Sequence, residues 1–526
     1  MATPVPPPDV AAVSPGGMGS RLRKLGSESL IYGLSTILGR FLSYLLTPFY
    51  ARYFGTADNG IQTLAFGLTS LIGVAFILGL DVAYMRNAAA VGADKSEAAG
   101  QRAFSMSFAL IASLGLLLVA MGVLLIPWAS PAFGLPPYTL RYMLAIVYTD
   151  ALLAVPMAHL RMSNQAFRYA KLRLGFVAVS LLLNVGLIGG LRWGIEAIFL
   201  ANVVANGVVL ALLLPDIVRL FRPAMLRRGI GWGALWRYAL PLVPATLAVL
   251  LVERADLLVL SRMLSPELAR SAYGLTPMQV IGTYGFNYKL GVVMLLVVQM
   301  FRMAWTPFSL AQAKHADAPR LFARVMTGLM VMCALVFLAT ALFLPALVQI
   351  PAVYYFPKEP EYWQGLPIVP VILLGYVFSG MYAVVTAGLY IQKKTSVLPW
   401  IAGAGAVVNV AVCMFAVGHW GMVGVAWATP IAYGLMAALG AWQAGRVYPV
   451  PYEWGRLARL ALIAGAIFAA DRWLATQGWE PGEPTAWGIK FALLLAFPLI
   501  LWVTRFVRPT EIQTLKSMLR RRPAAA

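Results

Sequence analysis

The segment E-S-L-I-Y-G-L-S-T-I-L-G-R-F-L-S-Y-L-L-T-P-F-Y-A, residues 28–51, decides how this chain must be read. It has the length and apolarity of a membrane-crossing helix, yet Arg40 stands near its middle. Ser29, Tyr32, Thr36, Arg40, Ser43 and Thr47 recur at spacings of three and four, which places them on one helical face. A membrane helix with a polar stripe borders a cavity. Two further apolar segments carry Arg254 and Lys289. At about 2.5–3.5 kcal/mol for each charge at mid-bilayer, three isolated cations would cost roughly 8–10 kcal/mol. The fold must therefore offer them water, counter-ions or an anionic ligand.

Outward from that segment the whole chain has the same character. It has 526 residues, 60% of them hydrophobic and 12% charged, with a mean hydropathy of +0.77, more apolar surface than a soluble protein of this size can bury. The fold class is an all-α polytopic membrane protein. Windows of about 20 apolar residues predict about fourteen spans. They lie near 28–51, 60–84, 104–126, 140–160, 172–191, 195–215, 238–260, 275–301, 321–345, 367–391, 398–418, 421–443, 456–475 and 486–506.

The formal charge of +21 raises the question of a nucleic-acid partner, and the placement of the 41 Lys and Arg residues answers it. About 30 fall on the side shared by both termini, among them Arg21, Arg23, Lys24, the Arg161–Arg173 and Arg219–Arg237 runs and the tail Arg520, Arg521, Arg522. The other side holds about 8 and three lie inside spans. The positive-inside rule then puts both termini in the cytoplasm, in keeping with an even number of spans. The high pI reports topology, and no nucleic-acid partner is expected. The basic tail and the loop after span six are suited to anionic lipid headgroups.

Six units follow: a disordered leader (1–27), an N-lobe of spans one to six (28–215), a cytoplasmic linker (216–237), a C-lobe of spans seven to twelve (238–443), an appendix of spans thirteen and fourteen (444–506) and a basic tail (507–526). A weak internal repeat supports the two lobes. Asn184, Trp193-Gly194, Ala197 and Ala201 are echoed by Asn409, Trp420-Gly421, Gly424 and Ala428. Six spans separate the echoes, so the lobes enter the membrane in the same direction and are related by an axis along its normal.

Cys333 and Cys413 fall inside spans, where a thiol is a small hydrophobe, and no disulfide is expected. No nucleotide-binding loop, metal-ligand cluster or nucleophile elbow is present at usable spacing, and His159, His315 and His419 are scattered. No metal, no cofactor and no catalytic residue is expected. The loops on the less basic side are short, the longest at about 346–366, which leaves little room for a glycan polymerase or ligase. Its Tyr354, Tyr355, Phe356 and Trp363, with Trp128, Tyr138, Trp305 and Trp400, read as an interfacial aromatic belt.

Buried charge is what remains to carry function. Span eight aligns Thr276, Gln279, Thr283, Phe286, Asn287 and Lys289 on one half-cylinder, with Gly282 leaving room beside them. Span seven clusters Glu253, Arg254 and Asp256. If the lobes pack about their axis, Arg40, Arg254 and Lys289 converge on one central cavity lined by Thr36, Ser43, Gln279, Thr283 and Asn287, with Arg52 and Arg262 nearer its outer rim. The alternative left open is that Arg254 pairs with Glu253 or Asp256 within its own helix, and that Arg52 and Arg262 snorkel to the interface. Asp150, mid-span in the fourth helix, joins Glu253 and Asp256 as a candidate proton or sodium site. A cationic cavity asks for an anion, and arginine suits phosphate because its planar fork binds bidentately.

The stretches Ser29-Leu30-Ile31-Tyr32-Gly33-Leu34, Phe49-Tyr50-Ala51-Arg52-Tyr53-Phe54-Gly55-Thr56-Ala57-Asp58-Asn59-Gly60 and Leu78-Gly79-Leu80-Asp81-Val82-Ala83-Tyr84-Met85-Arg86 carry a family resemblance. With Ala304-Trp305-Thr306-Pro307-Phe308 and both Asn…Trp-Gly repeats, the chain resembles polysaccharide (O-antigen) flippases of the Wzx type, in the multidrug/oligosaccharidyl-lipid/polysaccharide superfamily. The resemblance implies a V-shaped, fourteen-helix transporter in the bacterial cytoplasmic (inner) membrane. Such a protein turns undecaprenyl-pyrophosphate-linked oligosaccharides from the inner to the outer leaflet by alternating access, for surface polysaccharide and lipopolysaccharide assembly. Because the headgroup is charged, coupling to membrane potential or to H+ or Na+ is expected, with partners among membrane lipids and other polysaccharide assembly proteins. The resemblance also implies that cavity-lining Arg and Lys of the first, second, seventh and eighth helices meet the pyrophosphate, which suits Arg40 and Lys289; Arg52 matches a basic position at the end of the first helix. Span seven departs from the pattern, reading Glu253-Arg254-Ala255-Asp256 where a plain Asp-Arg pair is usual. The alternatives are a cation-coupled multidrug antiporter of the same superfamily, a membrane glycan polymerase or ligase, and a non-transporting scaffold.

Overall fold

A computed structural model describes residues 38–39, 44, 46–90, 97–226, 232–348, 357, 359–477 and 484–506. Most of the first span, with Arg40, Thr36 and Ser43, lies outside the described residues, as do the leader and the tail. What is described of that span ends as helix at residue 53, and the chain then turns at Phe54 and Gly55.

The remaining thirteen expected spans are all helical. The N-terminal set is α1 (Thr56–Ile77), α2 (Leu80–Ala90), α3 (Glu97–Phe133), α4 (Pro137–Met162), α5 (Ala166–Asn184) and α6 (Glu196–Leu220). A short α7 (Trp232–Ala239) leads into α8 (Leu242–Met263), α9 (Pro266–Tyr273), α10 (Pro277–Gln312), α11 (Ala318–Leu347), α12 (Ile368–Val385), α13 (Ala387–Ile391), α14 (Leu398–Ala426) and α15 (Ala428–Val447). The last two are α16 (Trp454–Thr476) and α17 (Pro484–Val503). The described residues contain no strand, and ten of the helices have the length and hydropathy to cross a membrane. With every backbone donor and acceptor satisfied inside its own segment, helices are the natural solution for so apolar a chain.

Several boundaries differ from the sequence reading, each for a local reason. Span two is two helices, because Leu78 and Gly79 take left-handed dihedrals (φ 49° and 70°) and Leu78 N–H caps Val74. Residues 185–190 finish span five as a π turn, and α14 carries a break at Gly421 (φ 52°, ψ −137°), where a side chain would strike the Tyr273 ring. Asn184, directly before the π turn, and Asn409, twelve residues before the Gly421 break, are both buried. Helix α7 starts in the expected linker and runs past its end, and its Tyr238 ring lies 4.1 Å from the Arg86 guanidinium. Two belt assignments need correcting. Trp305 is buried against Phe301 and Phe322, and Trp363 packs edge-on to Phe286; Trp128 and Trp400 are exposed. Tyr354, Tyr355 and Phe356 lie outside the described residues.

Helices α1–α6 pack among themselves, as do α8 and α10–α15, while α16 and α17 lean on α11. Between the last pair, the buried Asp471 carboxylate accepts from Lys490 Nζ at 2.8 Å and also pairs with Arg472. The two lobes meet chiefly where α1 crosses α10 and α8. One end of the bundle carries Arg161, Arg168, Lys171, Arg173, Arg219, Arg222 and Arg237 and is called the basic end here. At the other end the lobes close on each other through glycines. A Cβ on Gly282 would lie 1.8 Å from Thr56 O, one on Gly60 2.1 Å from Met278 O, and one on Gly285 2.3 Å from Thr63 Cγ2. Gly282 is thus the closest point of the seal, which corrects its reading as room beside a polar cavity face. Gly282→Ala is expected to destabilise the sealed protein by about 1–3 kcal/mol, because its methyl meets backbone and not a yielding side chain. A thermal melt of the purified variant reads this, and an unchanged melting temperature would contradict the close crossing.

Candidate functional site

On the basic side of that seal, the lobes enclose a cavity of about 310 Å³. The N-lobe lines it with Gln62, Thr63, Phe66 and Gly67 of α1, Phe176, Val177 and Ser180 of α5, and Ile198 and Asn202 of α6. Tyr44, Leu46, Thr47 and Tyr50 of the preceding segment complete that wall. The C-lobe contributes Arg254, Asp256 and Leu257 of α8 and Tyr284, Gly285, Tyr288 and Lys289 of α10. Arg254 and Lys289 therefore share one cavity, close enough for their charges to interact.

What matters chemically is the state of those charges. Among the described residues neither Arg254 nor Lys289 forms an ion pair within 4 Å, and Arg254 Nε is buried with no hydrogen-bond partner. The open alternative, Arg254 paired inside its own helix, is not what the geometry shows. Asp256 is buried and committed elsewhere: Oδ2 accepts from Tyr284 O–H at 2.6 Å and Oδ1 from Leu257 N–H at 2.8 Å. Glu253 accepts from the hydroxyl of Tyr433 at 3.4 Å and does not line the cavity. With two cations against one occupied carboxylate, the described wall of the cavity carries a net positive charge. Around it, Gln62, Asn202, Ser180, Thr47 and the tyrosine hydroxyls offer neutral donors and acceptors of the kind that hold hydroxyl-rich or phosphoryl groups.

Other expected site residues stand elsewhere. Gln279 does not line the cavity: it forms a capping box, its Oε1 accepting from Thr276 N–H at 2.9 Å and the Thr276 hydroxyl accepting from Gln279 N–H at 3.4 Å. With Pro277 in the first turn, this is what starts α10 where it does. Thr283 and Asn287 are fully buried at the sealed end and bind the turn at 360–365, with Thr283 Oγ1 donating to Glu361 O (3.3 Å) and Asn287 Nδ2 to Tyr362 O (2.6 Å). The half-cylinder of span eight is real, but its upper part faces protein. Asp150 also lies off the cavity, accepting from Asn206 Nδ2 at 2.8 Å, with Arg173 near enough to act on it. Arg52 is exposed beside the turn, and Arg262 is exposed with its guanidinium 4.2 Å from the Phe133 ring of the opposite lobe.

Residues that the sequence reading passed over include Gln62, Asn202 and Ser180. Each is a polar side chain inside an otherwise apolar span, the same signal that singled out Arg40 and Lys289, and a uniform search for it would have found them. Tyr284 and Tyr288 gave no such signal, since tyrosine is common in apolar cores.

No protein-family model and no curated protein sequence matches the chain. Solved structures do. The lipid II flippase MurJ in an inward closed conformation superposes with a TM-score of 0.65 over 91% of this chain and 100% of its own, at 14% identity. An inward-facing multidrug resistance MATE family transporter of the MOP superfamily gives 0.58 over 80% of this chain and 94% of its own, at 13% identity. A MATE transporter of Vibrio cholerae gives 0.53 over 82% and 98%, at 16% identity. The chain therefore has the V-shaped, two-lobed helical fold of the MurJ and MATE transporters.

Proposed function

We propose that the protein is a flippase for an anionic, lipid-linked glycan, most closely an undecaprenyl-pyrophosphate-linked oligosaccharide carried from the inner to the outer leaflet for surface polysaccharide assembly. The observation that carries this reading is the pair of cavity cations, Arg254 and Lys289, with no carboxylate partner among the described residues. Taking a phosphorylated headgroup through hydrocarbon unaided would cost tens of kcal/mol, whereas fixed cations in a polar cavity replace its lost hydration. Arg254 supplies a fork for two phosphoryl oxygens and Lys289 a point charge, while the lipid tail stays in the bilayer. Arg40, on the polar stripe of the first span, is proposed as a third cation. The proposed setting is a bacterial inner membrane with both termini cytoplasmic, so that the basic end faces the cytoplasm and the sealed end faces outward. The resting cavity would then receive its cargo from within.

With a negative interior, each headgroup charge that moves outward gains about 2.3 kcal/mol per 100 mV, which biases the cycle without a nucleotide. Collapsing the potential in vesicles is expected to slow transport severalfold, and a rate indifferent to potential would argue against an electrogenic headgroup step. A coupled ion at Asp150, Glu253 or Asp256 is a weaker addition, read by collapsing an H+ or Na+ gradient at fixed potential.

Purified protein in vesicles, given a fluorescent polyprenyl-diphosphate oligosaccharide, is expected to move the glycan to the opposite leaflet far faster than protein-free vesicles. Export of organic cations instead, surviving Arg254→Gln but not Asp150→Asn, would replace this reading with the multidrug antiporter. Turnover of sugar bonds would replace it with a polymerase or ligase.

A further inference from the structure

The turn Pro360–Gly365, a 3-10 turn in the longest loop of the sealed end, is fixed to one lobe and holds the other. Its attachment to the C-lobe runs through its backbone. Asn287 Nδ2 donates to Tyr362 O (2.6 Å), Thr283 Oγ1 donates to Glu361 O (3.3 Å), and Gly365 sits so close that a Cβ there would lie 2.3 Å from Asn287 Nδ2. Among the described residues, its hydrogen bonds to the N-lobe run through side chains. Tyr362, fully buried, donates its hydroxyl hydrogen to Phe54 O (2.9 Å) and accepts from Asn59 Nδ2 (2.5 Å), and Thr56 Oγ1 donates to Glu361 Oε2 (2.7 Å).

The partners on the N-lobe are what make this more than packing. Phe54 lies in the turn between the first span and α1, where a carbonyl has lost its helical partner and needs a donor. Asn59 reaches back to the same carbonyl at 3.2 Å and to Gly55 O at 3.3 Å, so one buried network of Tyr362, Asn59 and two turn carbonyls spans the lobes. The Tyr362 ring fills a pocket with Ala51 and Phe286, its centroid 4.9 Å from the Phe286 ring.

We propose that this turn is a strap: it stays with the C-lobe through the transport cycle and releases Phe54, Thr56 and Asn59 each time the sealed end opens, so that Tyr362 sets how strongly the resting protein prefers the sealed state. The division of contacts supports a release along this line. Among the described residues, the hydrogen bonds that must part from the N-lobe are those of two side chains, Tyr362 and Glu361, together with the Tyr362 ring's packing on Ala51, whereas peeling the turn off α10 would break backbone contacts and orphan the buried Asn287. The inference concerns the gate and not the cargo, so it stands or falls separately from the proposed substrate.

The test places spin labels at Tyr138→Cys and Glu267→Cys, two exposed positions at the sealed end on opposite lobes, with Cys333 and Cys413 replaced by Ser. Tyr362→Phe keeps the ring and removes the hydroxyl. It is expected to raise the ratio of separated to closed distances at least tenfold, with Tyr362→Ala raising it further. Unchanged distance distributions in both folded variants would overturn the strap. A second reading needs no change at the strap itself. Amide exchange of residues 359–366 is expected to slow at least tenfold when Gly67→Cys and Leu257→Cys are joined across the lobes, and exchange indifferent to that bond would equally overturn it.

Discussion

Arg254→Gln or Lys289→Gln is expected to lower transport of the lipid-linked glycan by about 10- to 150-fold each, the equivalent of one charge-assisted hydrogen bond of roughly 1.5–3 kcal/mol. Both side chains face the same cavity and neither forms an ion pair within 4 Å among the described residues, so each can turn its charge on a ligand there. Because the two would grip one headgroup, the double variant should fall less than the product of the singles. Arg254→Lys separates charge from geometry. If a phosphoryl group is held by the guanidinium fork, Lys at this position restores only part of the loss. The measurement is the initial rate of glycan translocation in vesicles at matched protein content. Rates within twofold of wild type for both Gln variants would remove the cations from the mechanism.

Joining the lobes with a disulfide is expected to abolish transport. A Cβ on Gly67 of α1 would lie 3.9 Å from Leu257 Cβ on α8, inside the range of about 3.5–4.5 Å that a disulfide requires. The native Cys333 and Cys413 are buried and free, so neither competes for the bond. Gly67→Cys with Leu257→Cys should therefore oxidise readily and tie the N-lobe to the C-lobe beside the cavity. If the cargo crosses by rocking of one lobe against the other, transport drops to background on oxidation and returns on reduction. Full transport by the cross-linked protein would mean that these helices do not part, and alternating access in this form would be wrong.

The fold was legible in the sequence because its signals are repeated and coarse. Runs of apolar residues locate the thirteen expected spans that fall on described helices, and the charge asymmetry between loops needs no knowledge of packing. Breaks inside those runs were less visible. Leu78, the π turn at 185–190 and Gly421 interrupt helices at positions where hydropathy hardly changes. Two of the cations expected to share a cavity, Arg254 and Lys289, do line one, whereas several of the neutral polar groups expected beside them do not. Lys289 and Arg254 announce themselves by the cost of burying charge, whatever surrounds them. Thr283, Asn287 and Gln279 share a helical face with Lys289, but a polar stripe does not say whether it meets water, a cap or another segment. Here Gln279 caps α10, and Thr283 and Asn287 hold the turn at 360–365, a partner roughly 75 residues away in sequence that no local pattern could supply.

Equilibrium binding of a polyprenyl diphosphate to the purified protein, compared with the Arg254→Gln, Lys289→Gln double variant, tests the central claim most directly. The account predicts that the wild type binds this anionic lipid and weakens as salt rises, that the double variant binds at least 30-fold more weakly (about 2 kcal/mol), and that an organic cation such as ethidium does not compete. Equal binding by the two proteins, or displacement of the lipid by ethidium, would contradict it.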